Sequence, residues 1–143
     1  TRASDGKANL HQGAVGAGVD MGLGETLTGV LNNEVVDDHP DTGALISGLR
    51  IPQWDFILES AARGYEVTGL GYLGVDIVID RDRGPLILEM NARPGLNIQI
   101  ANRTGLAKRI ARIDELYDSR AEPAERARIA RREFPADRQL SML

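Results

Sequence analysis

The chain has no cysteine. This excludes a disulfide framework, a thiolate metal site and a cysteine nucleophile. Only two histidines are present, and no nucleophile elbow accompanies them, so a Ser-His-Asp arrangement has nothing to rest on. No apolar run approaches the roughly 18 residues of a membrane-spanning helix. No charged-then-apolar segment resembling a secretory signal opens the chain. The cytoplasm is therefore the default expectation, with no membrane partner. Aromatic residues make up only 4% of the sequence.

What is present is a glycine-rich, moderately apolar chain. At 143 residues, 42% hydrophobic and 27% charged, it fits one folded domain and is too apolar for disorder. Sixteen glycines, nearly all before position 105, predict strands, tight turns and close backbone approach rather than a plain bundle. The net charge of −4 conceals an asymmetry: residues 1–100 carry 7 basic and 14 acidic side chains, residues 101–143 carry 10 and 7. An acidic body argues against nucleic-acid binding, which needs a basic face. It suits a divalent cation bridging to an anionic ligand.

Periodicity sketches the elements. Residues 14–20 and 26–31 read as two strands around a Gly22–Glu25 turn, and His39–Gly43 reads as a loop. Trp54, Ile57, Leu58, Ala61 and Tyr65 recur at helical spacing after Pro52, predicting a helix with one packed face. Tyr72–Ile79 and Pro85–Met90 read as the two strands of a hairpin around Asp80–Gly84. Both strands are nearly continuously apolar, which predicts cover on both faces. A helix is expected over about 105–117, and an Arg-rich, solvated helix over 124–134. The domain boundaries expected are 1–120 for the main unit and 121–143 for a basic helical tail. The abrupt, polar start at Thr1 leads to the expectation of a fragment.

Two carboxylates interrupt the apolar hairpin. A buried, uncompensated carboxylate costs several kcal/mol, so it must pair, neutralise or bind a cation. If the hairpin is right, Asp76 faces Glu89 and Asn91 across the ladder, and Glu89 and Asn91 project from one face. Three oxygen-bearing side chains on one face make a hard-cation site, and an incomplete protein shell leaves room for water and phosphate oxygens. The plainer alternative is a salt bridge from Asp76 or Glu89 to Arg93 or Arg63. Arg93-Pro94-Gly95 places a guanidinium beside the pair, suited to a phosphate or acyl-phosphate oxygen.

The stretch Gly71–Ile79 followed by Leu88-Glu89-Met90-Asn91-Ala92-Arg93-Pro94-Gly95 resembles the metal-binding core of ATP-grasp ligases. The upstream Ala8-Asn9-Leu10-His11-Gln12-Gly13 resembles the segment opening the same subdomain in alpha-L-glutamate ligases, and it is also similar to the sugar-transfer-associated ATP-grasp group. The similarity runs over roughly residues 2–117. It implies an α+β fold, an antiparallel β-sheet flanked by helices, forming the C-terminal half of an ATP-grasp domain. It implies a C–N bond-forming ligase: ATP phosphorylates a carboxylate, and an amine or amino acid attacks the acyl-phosphate. Under the resemblance Asp76, Glu89 and Asn91 match the Mg²⁺ (or Mn²⁺) ligands. Glu89, Asn91, Asn9 and His11 fall on the ATP-binding side. Arg93 and Lys7 take the catalytic positions. A structural hydrogen bond at His11 stays equally open. Lys7 stands where the glutamate ligases carry Arg, and Arg93 stands where they carry a small residue.

The family's ATP-binding lysines, adenine-binding linker and N-terminal substrate domain lie upstream of such a segment. The resemblance therefore implies a partner in the upstream half of the same domain, and inactivity of this part alone. A homodimer is a further expectation. The other class of reading is a non-catalytic nucleotide- or metal-binding module, or an interaction domain using Arg126, Arg128, Arg131 and Arg132. Three decoys are set aside. Gly16–Gly22 has the wrong spacing for a dinucleotide fingerprint. Asp80 and Asp82 lack the acidic twelfth ligand of a calcium loop. Asp37, Asp38, His39 and Asp41 read as an exposed loop.

Overall fold

The structure is a computed structural model, and it describes residues 1–95, 102, 105–118 and 120–136. Two separate antiparallel sheets and four helices make up these residues. The first sheet joins β1 (Gly16–Asp20), β2 (Glu25–Leu31) and β3 (Glu34–Val36) in that order. The second is the hairpin of β4 (Gly74–Asp80) and β5 (Gly84–Asn91). The helices are α1 (Trp54–Ala62), α2 (Gly64–Thr68), α3 (Leu106–Leu116) and α4 (Pro123–Glu133).

Local chemistry explains the turns. Asp20, only 3% exposed, accepts hydrogen bonds at Oδ1 from the Gly22 and Leu23 amides at 2.8 and 3.2 Å, closing the turn after β1. Gly24 follows at φ 68°, where a side chain would strike the Trp54 ring within 2.5 Å. The indole Nε1 of Trp54 donates to the Met21 carbonyl at 2.9 Å. The first turn of α1 is thus pinned to the β1–β2 turn. β3 is an element the residue pattern did not predict. Its signal was present, since Asn32 and Asn33 both take positive φ (51° and 67°). A two-residue Asn-Asn loop of that kind joins hairpin strands.

The apolar run after Pro52 also differs from a single helix. Gln53 adopts a left-handed conformation at φ 54° and gives α1 no side-chain cap. The helix begins at Trp54 and breaks after Ala62. It resumes as α2, which ends at Gly69 (φ 71°) with the Gly69 amide donating to the Tyr65 carbonyl at 2.7 Å, a left-handed glycine stop. Gly64 lets α2 approach the hairpin, because a Cβ there would lie 2.9 Å from Leu73 and 3.5 Å from the Met90 sulfur.

Ala14, Val30, Ile46, Ile57 and Ala127 form the buried apolar set, and no described side chain falls below 2% exposure. Part of that core is the contact of α4 on α1, which buries Pro123 and Ala127. The Arg-rich helix is therefore docked rather than solvated. Its arginines reach inward: Arg131 donates to the Gly22 carbonyl at 2.8 and 3.0 Å and pairs with Asp55, and Arg126 pairs with Glu66.

The hairpin likewise departs from its expected burial. Met90 faces α2, but the opposite face is open. Val78 is 41% exposed, and Asp76, Glu89 and Asn91 are all exposed. The predicted cover on both faces is absent among the described residues, so the desolvation argument for pairing these carboxylates does not apply.

Candidate functional site

The hairpin register places Asp76 directly opposite Glu89 and Gly74 opposite Asn91. Paired positions and positions two apart share a face of a strand pair. Asp76, Glu89 and Asn91 therefore lie on one face, and the Asn91 amide reaches Glu89 Oε1 at 3.5 Å. The ladder slips immediately beyond this pair, since Ile77 pairs with Ile87, leaving Leu88 as the extra residue of a bulge. Bulges re-aim side chains next to functional sites.

The loop that leaves β5 folds back over the same face. A Cβ at Gly74 would lie 2.7 Å from the Pro94 Cβ and 3.7 Å from the Asn91 Cβ. Pro94 thus takes the space a side chain at position 74 would fill, and Arg93 sits at the rim, exposed and without an ion pair among the described residues. Arg63 is committed elsewhere, to Glu59 at 2.6 Å. The salt-bridge alternative for Asp76 and Glu89 is consequently not realised with either arginine. At the far end of the hairpin, Asp80 Oδ1 accepts from the Arg83 and Asp82 amides, both at 2.9 Å. These two bonds hold its carboxyl below the usual range. Asp80 is a turn former, as is Asp82 beside it.

The N-terminal residues belong to a different surface. Lys7 lines a cavity of about 510 Å³ together with Ala14, Ala17, Thr26 and His39, and no hairpin residue lines it. Asn9 Oδ1 accepts from the His11 amide at 2.9 Å and caps a short 3-10 turn over Leu10–Gln12. The amide of Asp41 donates to Nδ1 of His39 at 3.3 Å in the loop beyond β3. Among the described residues, no group of three or more histidine, aspartate or glutamate side chains is gathered to hold a metal. The hairpin set is two carboxylates and one amide.

One cavity was not read from the residue pattern. Tyr72, Leu73, α3 and α4 enclose about 490 Å³ lined mainly by apolar side chains. The spacing of Leu106, Ile110, Ile113 and Tyr117 was visible as a helical stripe. Nothing in it indicated that Ile110, Ile113 and Tyr117 would remain 42%, 48% and 65% exposed.

The model of the sugar-transfer associated ATP-grasp family matches residues 1–115. The chain belongs to the sugar-transfer associated ATP-grasp family. No curated protein and no solved structure matches it. The α+β architecture of antiparallel sheets and helices is consistent with that family. Membership carries ATP-dependent, ligase-type chemistry. Among the described residues of this ATP-grasp chain no helix is long and apolar enough to cross a membrane. The matched span includes the whole hairpin and its Asn91–Gly95 loop, whereas α4 lies beyond it. The hairpin donors suit the divalent cation such proteins use with ATP. Two carboxylates and an amide are hard oxygen donors, and Mg²⁺ takes few protein ligands while keeping water and phosphate oxygens.

Proposed function

We propose that this chain is the metal- and phosphate-binding part of an ATP-dependent carboxylate–amine ligase. In that reaction the γ-phosphoryl group of ATP passes to a carboxylate oxygen, giving an acyl-phosphate and ADP. An amine nitrogen then attacks the acyl carbon, phosphate leaves with the C–O bonding pair, and the amine gives up a proton as the C–N bond forms. Asp76, Glu89 and Asn91 are the residues that would hold Mg²⁺ or Mn²⁺. When bound, the ion supplies charge neutralisation at the transferring phosphoryl group. Arg93, at the rim, is placed to pair with a phosphate or acyl-phosphate oxygen, as a planar guanidinium does. On this reading Lys7 is catalytic and Asn9 and His11 are on the ATP-binding side, and their separation from the hairpin leaves closure of the site to the upstream half of the domain or to a second copy of the chain. Residues 1–120 make up the ATP-grasp unit on this reading, with 121–143 as an appended Arg-rich tail whose described part carries α4.

The observation that carries this reading is the Asp76–Glu89 pair. Like charges directly opposite in a ladder are destabilising, and no cationic side chain compensates them among the described residues. A pair that costs stability and stays open to solvent is what a cation ligand set requires.

Calorimetric titration with ATP, with and without Mg²⁺, tests it in the chain and in the protein extended by its upstream half. Binding in the extended protein is expected to require Mg²⁺, and Glu89→Gln is expected to weaken it about tenfold or more. ADP formation should fall roughly a hundredfold in the same variant. ATP binding indifferent both to Mg²⁺ and to Glu89→Gln removes these ligands from the site. Mg²⁺-dependent binding without any ADP formation, in the extended protein with each substrate class supplied, favours the non-catalytic module.

A further inference from the structure

The cavity between α3 and α4 lies apart from the hairpin donors. Leu73, Leu106, Ile113, Leu116, Ile129 and Phe134 supply its apolar wall around about 490 Å³, a volume within the range of small-molecule sites. One cation in that wall is out of keeping with the other arginines of the two helices. Arg112 pairs with Glu115 and Glu133, Arg126 with Glu66, Arg128 with Glu125, Arg131 with Asp55, and Arg132 with Glu133. Arg109, half-buried and lining the cavity, has no carboxylate or carbonyl partner among the described residues. The acidic group in the same wall, Asp118, is already engaged, because Arg120 donates to both of its oxygens at 3.2 and 3.5 Å. The cavity therefore presents one uncompensated positive charge against apolar surface.

We propose that this cavity binds a small amphipathic carboxylate, its head paired with Arg109 and its apolar body against α3 and α4. A guanidinium and a carboxylate match in charge and in their two-pronged hydrogen bonding. A phosphate dianion would need a second cation, and the nearest arginine in the wall, Arg126, is taken by Glu66. The apolar wall accounts for selectivity over small anions, since burial of the body supplies most of the attraction.

The test is calorimetric titration of the 143-residue chain with decanoate, decanol, decyl phosphate and inorganic phosphate, with circular dichroism on every variant. Decanoate is expected to saturate at one per chain and to bind roughly tenfold tighter than decanol, the size of one charge-assisted pair. Inorganic phosphate is expected not to displace decanoate. Arg109→Gln, which breaks no ion pair among the described residues, should bring decanoate down to the decanol affinity and leave decanol unchanged. Ile113→Glu is a second variant at an exposed position, one helical turn from Arg109. It should bring decanoate to or below the decanol affinity, by pairing with that arginine and by placing a charge in the apolar wall. Equal affinities for decanol and decanoate overturn the proposal. So does a preference for decanoate that survives both substitutions, or tighter binding of decyl phosphate.

Discussion

Two charged surfaces of this molecule behave in opposite ways. On α4 the arginines are consumed internally: Arg126 reaches Glu66 and lies over the Tyr65 ring at 5.3 Å, and Arg131 holds Asp55 and the Gly22 carbonyl. On the β4–β5 hairpin the carboxylates of Asp76 and Glu89 face each other in the open with no cationic partner among the described residues. By composition α4 has the character of a solvated or partner-binding helix, yet it is a strap that joins α1, α2 and the β1–β2 turn. By composition the hairpin has the character of an interrupted core strand pair, yet one of its faces is open, with Asp76, Glu89 and Asn91 exposed on it. Charge marks a binding surface only where the fold has left it uncompensated.

The strap offers the most severe challenge to that contrast. Ala127, 8% exposed, is buried where α4 packs on α1. Ala127→Asp is expected to cost about 3 kcal/mol or more, because it buries a carboxylate with no partner. Urea unfolding measures this, and an unchanged midpoint would place α4 away from α1. Next comes Gly74→Val, which drives a side chain into Pro94. The cost expected is about 1–3 kcal/mol, with displacement of the Arg93 loop visible in its amide resonances. Retention of both the midpoint and those resonances would refute the packing of that loop on β4.

Acid acts on the strap through two of its paired carboxylates. Desolvation works to raise the Glu66 carboxyl, but hydrogen bonds and charge from Arg126, with Arg63 assisting, hold it below 4.5. Hydrogen bonds from Arg132 and then Arg112 hold Glu133 below 4.5 as well. Both folded values lie under the unfolded one, so the contribution is complete above pH 4.5 and is lost as pH falls through the folded values. Loosening of α4 should therefore begin only below that pH, and Trp54 fluorescence reports it. A transition centred near pH 6 would point to other groups. The smallest stability effect belongs to the hairpin: Asp76→Asn removes one of two facing like charges and should leave the melting temperature unchanged within about 1 °C, or slightly raised. A clear fall in melting temperature would mean that Asp76 has a structural partner.

Much of the frame was legible in local pattern. The hairpin followed from two apolar runs around Asp80–Gly84, but the register of that turn alone sets Asp76 opposite Leu88, and it is the bulge at Leu88 that brings Asp76 opposite Glu89. The helix over 106–116 was visible in the spacing of Leu106, Ile110 and Ile113. The Asn32-Asn33 turn was equally readable, although β3 was overlooked. Burial was the part that local pattern misjudged. Nearly continuous apolar residues in β4 and β5 suggested cover on both faces, but cover depends on what other segments reach that sheet. Lys7 and Asn9 could be aligned with the hairpin by resemblance, yet their separate cavity and cap are set by the path of the chain through β1 and the loop after β3.

Family and hairpin follow from the amino-acid order, because they depend on residues close together in the chain and on turn chemistry that acts locally. Which charges are spent is a matter of tertiary packing: Arg126 and Arg131 of α4 go to Glu66 and Asp55, and Arg63 goes to Glu59, leaving Asp76, Glu89 and Arg109 without an ion pair among the described residues. Ion pairing is a question of which side chains meet across distant segments. Spacing along one strand or helix carries no record of it.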